Sequence, residues 1–287
     1  MTDDLSVERL WGRGDISHTR RGDGAVVVCG RCERVRGADV ADVAAYDDIA
    51  EWYDAQVRGG GLLHEMALPA LFALVGDVRG QRLCDLACGQ GVVARQLAAR
   101  GARVIGVDLS ARLLAIARRD EEAEALGIAY LCGDAQRLDV VGDGRFDGVV
   151  CNMALMDIAD LAATARTVVR ILRPDGWFVF VITHPLLDTA LGREGVVRGS
   201  DGVSRRATRT YFAEGAWRST NPDGVRGKVD AHHRTFGTYL NTLSEAGLRF
   251  ERLLEPRPTD GLAERSPHLC DVPGILAARW RVAGRES

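Results

Sequence analysis

Three aspartates, Asp85, Asp108 and Asp134, each close an apolar run of strand-like composition, in "RLCDL", "RVIGVD" and "IAYLCGD". Just beyond the first lie Gly89 and Gly91, within "CDLACGQG". Glycines after a strand let the backbone approach a ligand closely, and carboxylates at strand tips attract cations and accept from hydroxyls. "GQGVVA", residues 89–94, also satisfies the loose dinucleotide pattern G-x-G-x-x-A, with Asp108 at the spacing where an acid meets a ribose hydroxyl. An NAD-dependent dehydrogenase is therefore one reading. Asp85, four residues before Gly89, weighs against it, because a carboxylate at the strand tip repels a pyrophosphate and attracts a cation.

Groups able to move protons follow the later strands. Asn152, Met153 and Asp157 lie in "CNMALMD" and His184 in "VITHP", while "DAHHR" carries His232 and His233. A histidine titrates near neutral pH, so His184 and His233 are the candidate catalytic bases. For His184 the competing reading is a hydrogen-bonded residue fixing the turn before Pro185; for the pair it is a helix start with one ring exposed.

These residues need a frame that brings strand ends together. From residue 81 strand and helix patterns alternate. "RLCDL" is followed by a helix "VVARQLAAR" stopped by Gly101, and "RVIGVD" by a helix "ARLLAIARR" capped by Ser110. "FDGVVCN", a helix over about 160–172 with Leu161, Ala165, Val168 and Leu172 on one face, and "WFVFVIT" continue the series. Near the C-terminus "HRTFGTYLNTLSEAGL" places Phe236, Leu240 and Leu243 on one helical face before Gly247, and "RFERLLEP" and "GILAARWRV" read as two further strands. Continuous apolar strands alternating with amphipathic helices predict an α/β, Rossmann-like, doubly wound sheet covered on both faces, with ligands beyond the carboxyl ends of its strands.

Composition narrows the function. The 287 residues are 46% hydrophobic and carry a formal net charge of −3, enough for one large core and without the basic excess of a nucleic-acid or membrane binder. No apolar run approaches the roughly 20 residues of a membrane span, and "MTDDLSVERL" is acidic where a signal peptide is apolar, so a cytoplasmic location is expected. Seven cysteines, several within apolar runs, suit reduced buried thiols. Cys29 and Cys32 form a lone C-x-x-C with no second pair to complete a tetrahedral site, so no metal is expected.

The succession D-x-x-C-G-x-G at residues 85–91, then Asp108, Asp134, "FDGVVCN" and "LRPDGWFVFV", resembles the class I S-adenosylmethionine-dependent methyltransferases, particularly the small-molecule group similar to those of quinone biosynthesis. The resemblance spans roughly residues 43–283. It implies a mostly parallel seven-stranded sheet with an antiparallel C-terminal strand, S-adenosyl-L-methionine as cofactor and a small-molecule acceptor, in secondary metabolism. It further implies that Asp85, Ala87, Gly89 and Gly91 hold the amino-acid part of the cofactor, that Asp108 binds ribose hydroxyls, and that Asp134 faces the adenine amino group. Leu109, Ala135, Asn152 and Met153, beside these acids and after the fourth strand, complete the expected cofactor set. Ala87 departs from the pattern, a third glycine being common there; binding tolerates the methyl if the backbone avoids positive φ. A noncatalytic cofactor-binding module is the other functional class that uses this turn.

Residues 43–57 and 62–74 read as two helices preceding the sheet, and Tyr46, Ile49 and Tyr53 share a face of the first. By resemblance this region, 43–76, covers the cofactor, with Tyr46 and Tyr53 bordering it. Residues 186–231, rich in Gly, Arg, Ser and Asp, form too long a connection to be idle and predict a lid or substrate insertion in which Tyr211, Phe212 and Trp217 line a pocket or pack against the body. Residues 1–42 form an arm of uncertain structure. The acceptor atom, whether O, N or C, and the oligomeric state, a homodimer included, are not legible.

Overall fold

The computed structural model describes residues 46–60, 62–187, 196–206 and 210–284. The N-terminal arm, with Cys29 and Cys32, lies outside them.

Seven strands form one sheet: β1 (Arg82–Leu86), β2 (Arg103–Asp108), β3 (Ala129–Cys132), β4 (Phe146–Asn152), β5 (Leu172–Thr183), β10 (Leu248–Leu254) and β11 (Ile275–Val282). Their order is β10-β11-β5-β4-β1-β2-β3. β1 pairs in parallel with both β2 and β4, β3 with β2 and β5 with β4, whereas β11 runs antiparallel to both β5 and β10. The expected fold is thus observed, down to its single antiparallel strand. The chain builds outward from β1 to β3, then returns to place β4 on the other side of β1. The crevice beyond the carboxyl ends of β1 and β4 is the topological switch point, where sheets of this kind bind ligands.

The core has a layer on each face because successive strand residues point opposite ways. Cys84 and Leu86 of β1 and Phe178, Phe180 and Ile182 of β5 pack on one side; Leu83, Val179 and Val181 pack on the other. Helix α1 is Ala50–Arg58 and α2 is Leu62–Val75. α3 (Val92–Ala99) and α4 (Ala111–Ala123) follow β1 and β2, and α5 (Leu161–Ile171) precedes β5. Ser110 caps α4 as expected, its hydroxyl accepting from Leu113 N at 3.1 Å, and Asp160 caps α5 by accepting from Ala163 N at 2.8 Å. Leu161, Ala165 and Val168 are buried as their spacing predicts.

Two helical expectations shift. The helix foreseen over 43–57 breaks at Asp48 and Ile49, and α1 begins at Ala50. The cause lies at Asp47, whose carboxylate accepts from Ser110 Oγ at 2.5 Å and from Arg112 N at 3.2 Å, tying this segment to the start of α4. In helix α7 (Phe236–Glu245) Tyr239 and Leu243 are buried, while Phe236 and Leu240 are only partly so.

Within the insertion the described residues form two antiparallel ribbons. β6 (Val196–Arg198) pairs with β7 (Ser204–Arg206), and β8 (Gly215–Trp217) with β9 (Ala231–His233). A short helix α6 (Val225–Lys228) lies between β8 and β9. Among the described residues no helix is long and apolar enough to cross a membrane.

Candidate active site

The turn after β1 is shaped by three left-handed residues: Ala87 and Gly89 at φ 56° and Gly91 at φ 85°. Ala87 therefore does not meet the condition under which its methyl group would be harmless, since a side chain in this region costs roughly 1–2 kcal/mol. Met153, after β4, also has φ 56°, so two strained non-glycine residues sit at neighbouring strand ends. Asp108 organises the turn, its Oδ2 accepting from Gly89 N at 2.7 Å and its Oδ1 from Ser110 N at 2.8 Å. Gly91 serves packing: a Cβ there would stand 2.4 Å from the Tyr130 hydroxyl.

A cavity of about 160 Å³ opens above these ends, far more than the roughly 10–15 Å³ one water requires. Asp85 forms its floor. It is 1% exposed, and its Oδ2 has no partner among the described residues. Burial pushes its carboxyl up to about 8; the Ala94 amide opposes that shift and the Asp108 charge adds to it. Asn152 Oδ1 and Gln90 Nε2, both buried, are unpartnered as well. Burial likewise raises Asp108 to about 6, against the amides of Ser110 and Gly89. Asp134 lines the far end, its Oδ1 held by the amide and side chain of Gln136 at 2.9 and 3.0 Å.

The outer wall comes from other elements. Tyr46 and Tyr53 meet edge to face with centroids 5.3 Å apart, and the Tyr46 hydroxyl donates to Asp157 Oδ2 at 3.0 Å. Arg226 of α6 donates to the other oxygen of Asp157. Val229 and Asp230 of the insertion and His64 of α2 also face the cavity.

The structure thus gathers at one cavity Tyr46, Tyr53, Asp85, Ala87, Gly89, Asp108, Leu109, Asp134, Ala135, Asn152 and Met153. It leaves three expected residues out. Gly91 lies behind the turn against Tyr130. His184 is buried between two partners, its Nε2 2.8 Å from Glu255 Oε1 and its Nδ1 accepting from Leu186 N at 3.2 Å, which is the turn-fixing role. His233 is 2% exposed, with Nε2 2.7 Å from the Tyr211 carbonyl and its ring against that of Tyr211. Neither histidine lines the cavity, because both are spent holding the insertion and the β5 loop to the body. The insertion's aromatics stand outside too: Tyr211 accepts from Phe236 N at 2.9 Å, Phe212 is 86% exposed, and Trp217 does not face the cavity.

Sequence reasoning missed Gln90 and His64. Gln90 had only its place between two glycines to mark it. His64 had a clearer signal, a lone imidazole in the apolar helix "LLHEMALPALFAL" just ahead of the sheet.

Residues 84–180 match a family described as a methyltransferase domain. An S-adenosylmethionine-dependent methyltransferase from Mesorhizobium loti superposes with a TM-score of 0.66 at 33% identity, over 78% of this chain and 99% of its own. This chain belongs to the class I S-adenosylmethionine-dependent methyltransferases. A methyltransferase of Listeria monocytogenes described in the same terms, though as putative, superposes with a TM-score of 0.63 at 25% identity, over 75% of this chain and 97% of its own. The ubiquinone biosynthesis O-methyltransferase of Bordetella pertussis is 28% identical over 180 residues, 60% of this chain and 73% of that protein.

The cofactor of this methyltransferase is S-adenosylmethionine, and the cavity suits it. The unpartnered acceptors Asp85 Oδ2 and Asn152 Oδ1 stand in the same cavity as the unpartnered donor Gln90 Nε2. That set complements a zwitterion, an ammonium that donates and a carboxylate that accepts, which the methionine end of the cofactor carries.

Proposed function

We propose that this methyltransferase acts on a small, aromatic or otherwise hydrophobic acceptor, with Asp85, Asn152 and Gln90 holding the amino-acid end of the cofactor, Asp108 its ribose hydroxyls and Asp134 its adenine. The observation that carries the reading is the unpartnered buried carboxylate oxygen of Asp85 at the floor of a cavity whose outer wall is Tyr46, Tyr53, Val57, Ile158 and Val229. A buried acid without a partner is costly, and a cationic ligand relieves that cost. The aromatic and aliphatic wall favours an apolar acceptor body, and the curated relatives named O-methyltransferases support a small-molecule substrate.

When bound, the cofactor supplies an electrophilic methyl carbon on a sulfonium. The protein's part is then to exclude water and to align a nucleophile, an effect of proximity and orientation. Residues 43–76 and 186–231 are read as the parts that close the site: Tyr46 and Asp157 on one side meet Arg226 on the other, and Lys228 lies 5.0 Å from the centre of the Trp52 ring.

The test is transfer of labelled methyl from S-adenosylmethionine to panels of small aromatic acceptors and, in parallel, to RNA and protein. Turnover of aromatic acceptors by the wild-type enzyme, lost in Asp85→Ala, is expected. Labelling confined to RNA or protein would contradict the acceptor class.

A further inference from the structure

The lining of the cavity has an unusual charge balance. Asp85, Asp108, Asp134, Asp157 and Asp230 all face it, and no lysine or arginine does among the described residues. An acceptor that arrives as a carboxylate, phosphate or phenolate finds no lysine or arginine there to pair with, so the wall favours one that is uncharged. An uncharged hydroxyl or N–H acceptor keeps its proton until transfer, so something at the cavity must take it.

Most candidates are already engaged. Asp157 is held by Tyr46 and Arg226, Asp134 by Gln136, and Asp230 by Arg218 at 2.5 Å. Asp108 accepts from the amides of Gly89 and Ser110. Asp85 lies at the floor in the β1 turn, where the cofactor's ammonium is placed above. Tyr46, Tyr53 and Cys88 are partly buried, and desolvation raises each of them, so they keep their protons near neutrality.

His64 remains. It is the one histidine facing the cavity among the described residues, and it is half-buried on the first turn of α2. Neighbouring Glu65 does not neutralise it, being paired with Arg265 at 2.7 Å on the exposed side. Burial lowers the histidine's pKa below its ordinary value, which keeps the ring uncharged and able to accept at neutral pH.

We infer that His64 is the proton acceptor for an acceptor substrate that enters the acidic cavity uncharged. The inference rests on the small-molecule reading above. In the step, the acceptor's O–H or N–H bond breaks and its proton passes to the free imidazole nitrogen. The electron pair left behind forms the bond to the methyl carbon, while the carbon–sulfur bonding pair stays with sulfur. The imidazolium then returns its proton to water.

The test uses the whole enzyme, with S-adenosylhomocysteine bound for the NMR titration and S-adenosylmethionine supplied for turnover, catechol as the uncharged probe and 3,4-dihydroxybenzoate as its anionic counterpart. Histidine-ring NMR of the wild-type complex should show the His64 signal moving on addition of catechol. Catechol should turn over faster than dihydroxybenzoate, and His64→Gln should lower kcat for catechol about 100-fold to 10,000-fold. That variant should also lose the fall in rate at acid pH, with affinity for S-adenosylhomocysteine unchanged by calorimetry. Faster turnover of the anion, a His64 signal that ignores catechol, or an unchanged kcat and pH profile in a variant that still binds S-adenosylhomocysteine would each overturn the inference. Failure of the wild-type protein to bind S-adenosylhomocysteine would instead remove the reading on which it rests. If His64→Gln does not fold, His64→Asn and the wild-type NMR titration decide the matter.

Discussion

The Tyr46 hydroxyl reaches across 111 residues of chain to donate to Asp157 Oδ2 at 3.0 Å, joining the segment before the sheet to the loop after β4. Arg226 of the insertion holds the second oxygen, so one carboxylate joins both candidate covering segments. A hydrogen bond to a charged group contributes about 1.5–3 kcal/mol, less where partly exposed. Tyr46→Phe should therefore lower stability by roughly 1–2 kcal/mol in denaturant unfolding and speed hydrogen exchange over residues 46–58. In the wild-type protein, added S-adenosylhomocysteine should slow that exchange; exchange indifferent to the ligand would contradict a covering role.

Asp85 makes the protein's stability depend on pH. Its folded carboxyl titrates near 8, above the ordinary 3.8, so the folded state binds more protons than the unfolded chain between these values. Its contribution is complete below about pH 4 and is lost as pH rises through 8. Denaturant unfolding of the ligand-free protein should show stability falling across this window, and Asp85→Asn should flatten the fall. Because a bound cation favours the ionised carboxylate, S-adenosylmethionine should bind more tightly from pH 6 to 8 with net proton release. Calorimetry in buffers of different ionisation heat would show that release, and its absence would count against Asp85 as the partner of the ammonium.

Asp108 has a double duty, bracing the turn through Gly89 and Ser110 and standing open to the cavity. Asp108→Ala should weaken binding of S-adenosylmethionine by roughly 1–3 kcal/mol as a charge-assisted pair of hydrogen bonds is lost. Asp108→Asn keeps an acceptor for one amide and should fall between. Equal affinity in all three proteins would place the ribose elsewhere.

The turn's backbone makes opposite forecasts for neighbouring positions. Ala87→Gly relieves a left-handed side chain and, after the greater entropy of glycine in the unfolded chain, should raise stability by up to about 1 kcal/mol. Gly91→Ala drives a methyl into the Tyr130 ring and should cost roughly 1–3 kcal/mol. Thermal unfolding of both variants checks the signs; a destabilised Ala87→Gly would show that the alanine methyl packs productively.

The sheet was legible because most of its strands are largely apolar runs, three of them with an acid at or near the carboxyl end, and because Ser110, Gly101 and Gly247 punctuate the helices at the residues where they do so in the structure. The acids at the strand tips were legible for the same reason: their register follows from strand length. The base was not. His184 and His233 stand where active-site residues commonly stand, yet their partners, Glu255 and the Tyr211 carbonyl, come from 71 and 22 residues away and no local pattern marks them. His64 stood out as a lone imidazole in an apolar helix, but that helix precedes the sheet and only tertiary packing turns it toward the cavity. The break at Asp48 and Ile49 had the same origin, a long-range bond from Ser110 to Asp47 overriding a helical pattern.

A crystal structure with S-adenosylhomocysteine bound would show directly which residues hold each part of the cofactor. Its ammonium should lie against Asp85 and Asn152, its carboxylate against Gln90, its ribose on Asp108 and its adenine beside Asp134, with the sulfur facing the part of the cavity bordered by His64 and the Tyr46–Tyr53 wall. A ligand seated elsewhere, or one that leaves Asp85 Oδ2 without a donor, would contradict that placement.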